Sequence, residues 1–446
     1  MRQTRPVRWW ILAGLLGVAL GCGDDVTRID ARGDAGLPDA GLDGSVDAGP
    51  DAEVALHPER YREGPIHSPI TPYVAESLRA VRDRGTHDPR VFAKVGDSIT
   101  VSAGYLHCFD GGTVDLDGRP LQTALDHFLA GDAGGTTPFD RESLAAAVGW
   151  RAGRVLEGGA AGPLAMEVSA IDPAFALVMF GTNDIGIVTR EQYANDLLDI
   201  ADTLLGEGIV PIFSTFPPRG DDPAVNAEVP RWNLAVRAVA EARQVPLVDL
   251  HRLLEPLPDY GLGPDDLHPA SFPGGACVLT ADGLEYGNDV RNLVSLEALA
   301  RLHSVLVLDE AAPDSARAPL AGSGTHADPW VIDELPFTHS ANTLFSEERE
   351  LATYTGCGSS ADESGPELVY RLELASATTL VLDVFDRGET DVDLHVLDAL
   401  EESACLERAH RELEIALPAG THFVVVDSFV AARELAGEYL LTIDTR

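Results

Sequence analysis

Three short blocks in this sequence carry side chains capable of chemistry, and they occur in one order: Gly96-Asp97-Ser98, Gly181-Thr182-Asn183-Asp184 and Asp265-Asp266-Leu267-His268. Together they supply a hydroxyl nucleophile, an amide hydrogen-bond donor and a carboxylate–imidazole pair, the parts an acyl-transfer site needs. A serine hydroxyl is a poor nucleophile until a base takes its proton, and His268 is the base in this set. Asp265 stands three residues before His268. From that loop its carboxylate can reach the far ring nitrogen, fix the tautomer and stabilise the imidazolium. Asn183 can aim a side-chain N–H at a developing oxyanion. Taken singly, Ser98 and Asn183 read equally well as turn or cap residues, His268 as a loop histidine and Asp265 as a solvated acid. Their joint occurrence, in order, points to one site.

Residues so far apart meet only if the elements between them bring them to one edge. From about residue 88 to 308, short apolar runs alternate with helical periods. Val91 to Val95, Phe175 to Phe180, Ile209 to Phe213 and Val245 to Leu250 read as buried strands. Tyr193, Leu197, Ile200 and Leu204 fall at helical spacing, with Thr189 and Gln192 as a capping box and Gly206 as the stop. Leu296, Leu299, Leu302 and Leu306 mark a last amphipathic helix. This alternation predicts an α/β fold, a mostly parallel sheet covered on both faces. Ligand sites in such sheets lie beyond the carboxyl ends of the strands. Ser98 follows the first predicted strand and Asn183 the second, so both belong on that edge.

Ser98 within Gly96-Asp97-Ser98-Ile99, Asn183 within Gly181-Thr182-Asn183-Asp184, and Asp265 and His268 within Asp265-Asp266-Leu267-His268-Pro269 resemble three blocks of the SGNH (GDSL-type) hydrolases. A further block of that family supplies a glycine to the oxyanion hole. Ala147-Val148-Gly149-Trp150-Arg151-Ala152-Gly153 is similar to it, with Gly149 as the choice and Gly153 as the rival. The resemblance covers roughly residues 88 to 308. It implies a flavodoxin-like three-layer fold and ester hydrolysis through an acyl-enzyme, with no metal and no cofactor. Ser98 is the implied nucleophile, His268 the base and Asp265 its partner. The Ser98 N–H, the Gly149 N–H and the Asn183 amide are the implied oxyanion donors. The long glycine-containing segment between Ser98 and Gly149 reads either as a wall of the acyl or alcohol pocket or as a surface excursion.

The composition says where such a site would work. The chain has 446 residues, enough for two domains, a hydrophobic content of 45% and a formal charge of −40. A surface this acidic argues against nucleic acid or anionic lipid as partners. Arg2, Arg5 and Arg8 precede an apolar run from Trp9 to Leu20, too short to span a bilayer, which reads as an export signal. Ala19-Leu20-Gly21-Cys22 resembles a bacterial lipobox, with alanine where leucine is usual. That implies lipidation at Cys22 and a protein at the periplasm, outer membrane or cell surface. The alternative is a plain secreted protein in which Cys22 is a small apolar residue of the signal. The expected partners are a small-molecule or glycan ester substrate and a membrane reached through the lipid anchor only. The expected state is a monomer.

Residues 1–22 are thus an expected signal peptide, and 23–56 an acidic tether repeating Asp-Ala-Gly, too poor in large apolar residues to fold. These aspartates lack the spacing of a calcium loop. The hydrolase-like domain spans 57–308. Four further cysteines in an exported chain predict disulfides, with sequence neighbourhood favouring Cys108–Cys277 and Cys357–Cys405. The first bridge would pin the loops that carry Ser98 and His268. Cys108 as a nucleophile is the alternative. Residues 309–321 read as a linker. From 322 to 446 the period changes to two, predicting a small all-β sandwich with strands around Tyr370–Leu374, Leu380–Val384, Asp391–Leu397, Thr421–Asp427 and Glu438–Ile443. Gly322-Ser323-Gly324-Thr325, Leu335-Pro336-Phe337, Asp391-Val392-Asp393-Leu394, Pro418-Ala419-Gly420-Thr421 and Gly437-Glu438-Tyr439 resemble the bacterial pre-peptidase C-terminal domain, which implies an accessory role. Asp391 and Asp393 read as turn and strand-edge carboxylates in preference to cation ligands. The leading reading is an exported serine esterase. The competing one is a binding or adhesion lipoprotein whose hydrolase-like part is inactive.

Overall fold

The computed structural model describes residues 56–446. The expected signal, Cys22 and almost all of the tether lie outside the described residues. Residues 56–446 form one compact unit.

The first half is a parallel sheet between two helical layers. Strands β1 (Asp88–Gly96), β3 (Pro173–Met179), β4 (Val210–Ser214) and β5 (Leu247–Val248) lie side by side in that order, all parallel. Val91, Phe92, Ala93 and Val95 are all buried, on both faces of β1. This is why the sequence there is a continuous apolar run rather than an alternation. Helices α1 (Pro72–Arg82), α2 (Gln122–Leu129), α3 (Pro163–Ile171), α4 (Arg190–Glu207), α5 (Pro223–Asn226), α6 (Val229–Arg243), α7 (Leu250–Leu254) and α8 (Gly287–Leu302) complete it. α1, α2 and α8 gather on one face, α3, α4 and α6 on the other. Two short strands, β2 (Val114–Asp115) and β6 (Cys277–Val278), pair beside the sheet. Among the described residues no helix is long and apolar enough to cross a membrane.

Two local expectations need correction. The Thr189 side chain does cap α4, accepting from Gln192 N at 3.1 Å, but the Gln192 side chain turns to Asp196 at 2.8 Å instead of back to the cap. The helix also passes through Gly206 and stops at Gly208, where φ is +86°. A Cβ at Gly208 would lie 2.8 Å from Gly85 N, so that position needs glycine twice over.

The second half is the sandwich. One sheet orders β13 (Glu412–Leu417), β10 (Thr378–Asp386), β15 (Glu438–Thr445) and β8 (Phe337–Asn342). The other orders β12 (Cys405–Ala409), β11 (Val392–Leu397), β14 (Gly420–Ser428), β9 (Glu367–Leu374) and β7 (Trp330–Ile332). Inward residues of both sheets, among them Phe337, Leu372, Leu382, Leu394, Val426 and Leu441, make its core. The two expected disulfides are present, with Cα–Cα separations of 5.6 Å for Cys108–Cys277 and 5.3 Å for Cys357–Cys405.

The sandwich is joined to the α/β part by more than its connection. Residues 309–321 carry no helix or strand, yet Asp314 Oδ2 accepts from Ile70 N at 2.6 Å and pairs with Arg301. Phe385 and Leu440 belong to the core cluster of the α/β part. Beside them Arg231 makes a two-pronged pair with Asp383, 2.9 Å at each contact, and reaches Glu412 at 2.9 Å. Arg190 joins the same acids at 3.2 and 2.6 Å. Thr338 Oγ1 donates to the buried Glu241 at 2.8 Å.

Candidate active site

β1 ends at Gly96, and the chain turns sharply through Asp97 and Ser98. A Cβ at Gly96 would lie 2.7 Å from Met179 O, so β1 and β3 approach this closely only with glycine there. Thr100 N and Val101 N both donate to Asp97 O, at 3.0 and 3.1 Å, which makes one helical turn starting at the serine. The buried guanidinium of Arg291 on α8 clamps that turn. It donates to Ile99 O at 2.7 Å and to Thr100 Oγ1 at 3.0 Å and lies 3.5 Å over the Tyr105 ring.

The imidazole comes to Ser98 from across the molecule. Ser98 Oγ stands 2.8 Å from His268 Nε2, and His268 Nδ1 stands 2.7 Å from Asp265 Oδ2. With Nδ1 protonated, the ring donates to the carboxylate and its other nitrogen accepts from the serine hydroxyl. The other Asp265 oxygen accepts from His268 N at 3.0 Å and from Leu267 N at 3.2 Å. The His268 N–H in particular holds the Asp265 carboxyl below the usual carboxylate range, so it stays ionised. The loop is fastened at both ends: Gly263 N donates to His268 O at 2.7 Å, and Gly220 N to Asp266 O at 2.8 Å.

The segment ending at Gly149 runs along the end of β1. Gly96 N donates to Ala145 O and Ala147 N to Gly96 O, at 3.2 and 3.3 Å. Gly149 has φ +74° with open space where a side chain would be, and its N–H has no backbone partner among the described residues. Gly153 lies instead in the turn that follows, where a Cβ would be 2.8 Å from Asp196 Oδ2. Of the two glycines, Gly149 is the one that leaves a donor free.

Asn183 follows β3 as expected. Its Nδ2 donates to Asp97 Oδ2 and to Trp150 O, each at 3.2 Å. The amide is thus oriented by the residue before the serine and by the residue after Gly149. Burial first of all pushes the Asp97 carboxyl up to about 6. Gly181 has φ +130°, and a Cβ there would run into the Phe216 ring.

Two contributors carried no signal in the spacing. Arg291 is one. Asp184 is the other: fully buried, it accepts from Ala152 N at 2.9 Å and Gly181 N at 3.1 Å, tying the Asn183 loop to the Gly149 segment. Burial pushes its carboxyl up to about 7. A buried acid one residue after a motif asparagine looks, in sequence, like any polar turn residue. Cys108 is in its disulfide, which removes it as a nucleophile, and the ladder between β2 and β6 runs beside that bridge.

Residues 95–271 match the GDSL-like Lipase/Acylhydrolase family. Nothing among curated proteins matches the chain. Among solved structures, Axe2, an acetylxylan esterase from Geobacillus stearothermophilus, is 16% identical over 48% of this chain and 94% of its own, with a TM-score of 0.32. A GDSL-like lipase from Bacteroides thetaiotaomicron is 14% identical over 51% of this chain and 98% of its own, with a TM-score of 0.31. The pre-peptidase C-terminal domain of a Bacillus anthracis collagenase is 14% identical over 25% and 90%, with a TM-score of 0.18. The family match spans Ser98, Gly149, Asn183, Asp265 and His268, and the chain is a carboxylic ester hydrolase whose residues 95–271 form a GDSL-like lipase/acylhydrolase domain.

Proposed function

We propose that the chain is an exported serine esterase that cleaves acetyl or other short acyl esters through an acyl-enzyme, with Ser98 as nucleophile. The observation that carries this reading is the continuous line from Ser98 Oγ to His268 Nε2 at 2.8 Å and from His268 Nδ1 to Asp265 at 2.7 Å. Ser98 Oγ attacks the acyl carbonyl while His268 takes its proton. The resulting imidazolium is stabilised by ionised Asp265. The oxyanion is received by the Ser98 and Gly149 N–H groups and by the Asn183 amide, which gives up one of its two 3.2 Å bonds to do so. His268 then protonates the departing alkoxide, and water activated by the same ring frees the acid.

A short acyl group is favoured because the apolar side chains next to the reacting residues, Val101 and Val148, are exposed at 38% and 75%. They offer a shallow rest rather than a deep slot. The test is turnover of a nitrophenyl ester series from acetyl to decanoyl. We expect the highest kcat/KM at the short end and a loss of about 10³-fold or more in kcat for Ser98→Ala. Equal rates for wild type and variant would instead favour the inactive, adhesive reading. Lipid anchoring through Cys22 belongs to the same proposal. It predicts detergent-phase partitioning that Cys22→Ala abolishes.

A further inference from the structure

The sandwich changes sheets twice at one corner. β10 ends at Asp386, and the chain passes Asp391 before entering β11 in the other sheet. β12 ends at Ala409, and His410 precedes the return into β13. The two crossings run side by side, so that one carboxylate oxygen each of Asp386 and Asp391 and a ring nitrogen of His410 lie within 4.8 Å of one another. His410 Nδ1 is 3.3 Å from Asp391 Oδ1 and 3.4 Å from Asp393 Oδ1. Ligands about 2.0–2.2 Å from a tetrahedral zinc ion stand about 3.3–3.6 Å from each other, so two of these separations are already those of a coordination edge.

A second observation points at the same spot. Asp393 is 4% exposed, and its Oδ2 pairs with Arg408 at 3.0 Å, but its Oδ1, the oxygen facing His410, accepts no hydrogen bond among the described residues. Leaving a buried acceptor unsatisfied is costly, and more so when it is charged. The local charge agrees. The Glu191 carboxylate, on the first turn of α4, lies against that of Asp386. Arg411 pairs with Glu191 and stands 3.8 Å from Asp386, which offsets only part of this negative charge.

We propose that this corner binds a divalent transition-metal ion through Asp386, Asp391, Asp393 and His410. Mixed imidazole and carboxylate donors suit zinc or manganese better than calcium or magnesium, which favour all-oxygen shells. The ion would tie the two crossings together, beside the start of α4, so its effect is on stability. In sequence the pair Asp391 and Asp393 carries no ligand pattern; folding adds Asp386 and His410.

The test uses the full chain, stripped with chelator, re-equilibrated with zinc chloride and dialysed, with bound metal counted by mass spectrometry. Wild type should hold one equivalent more than His410→Ala or Asp391→Asn, and zinc should raise the melting temperature of wild type but not of the variants. His410 is half-exposed, so both variants should keep the wild-type circular dichroism and ester turnover. Equal zinc content in wild type and His410→Ala would overturn the proposal, as would calcium matching zinc in competition or an equal zinc-induced stabilisation of all three proteins.

Discussion

Asn183 shows how much of a site is orientation. Its amide is held between a buried carboxylate and a backbone carbonyl before any substrate arrives. Asn183→Ala is therefore expected to lower kcat by about 10²–10³-fold with little change in KM, read from steady-state kinetics on a nitrophenyl acetate substrate. Asp184 supplies a different test. A carboxyl whose folded value is about 7 against an ordinary 3.8 binds more protons in the native than in the unfolded state between those limits. Its contribution to stability is full below about 4 and is lost as pH rises through about 7. Denaturant titrations at pH 4.5 and 7.5 should show wild type losing more stability over that interval than Asp184→Asn. A steeper loss in the variant would contradict burial as the cause.

At the level of elements, β1 and β3 were legible because parallel strands covered by helices on both faces must be apolar on both, and the triad side chains because each sits in a motif of fixed spacing. Other features were hidden for physical reasons. Gly206 and Gly208 are equivalent stops by composition, and only the approach of Gly85 separates them. β7, β8, β12 and β13 are short or carry polar residues on much of their length, so their alternation is faint. Arg291 lies nearly 200 residues from the turn it clamps, and nothing local marks it. It is a positioning residue. Arg291→Lys cannot reproduce two diverging donors or the lie over Tyr105. We expect kcat to fall about ten- to a hundredfold with a smaller change in KM, together with a lower melting temperature. A variant that melts lower but turns over at the wild-type rate would reduce Arg291 to a purely packing role.

For the whole molecule, the change from helical to alternating periodicity predicts two domains, and the packing makes residues 56–446 a single unit. Asp383 and the two arginines that flank it were unreadable as partners, since they come from parts of the chain with different periodicities. Removing one member of a buried pair strands the other's charge, so Asp383→Ala should cost about 3–5 kcal/mol in urea unfolding. Wild type should lose activity and tryptophan fluorescence in one transition, whereas the variant should separate them. A final consequence comes from Lys94, the one lysine in the sequence, which is 2% exposed with Nζ donating to Phe139 O at 2.9 Å and its ammonium brought down by burial to about 8. Reagents that acylate amines find no side-chain target on the folded surface. A single tag at residue 94, appearing only when the sheet opens, would turn ordinary succinimide chemistry into a clock for unfolding.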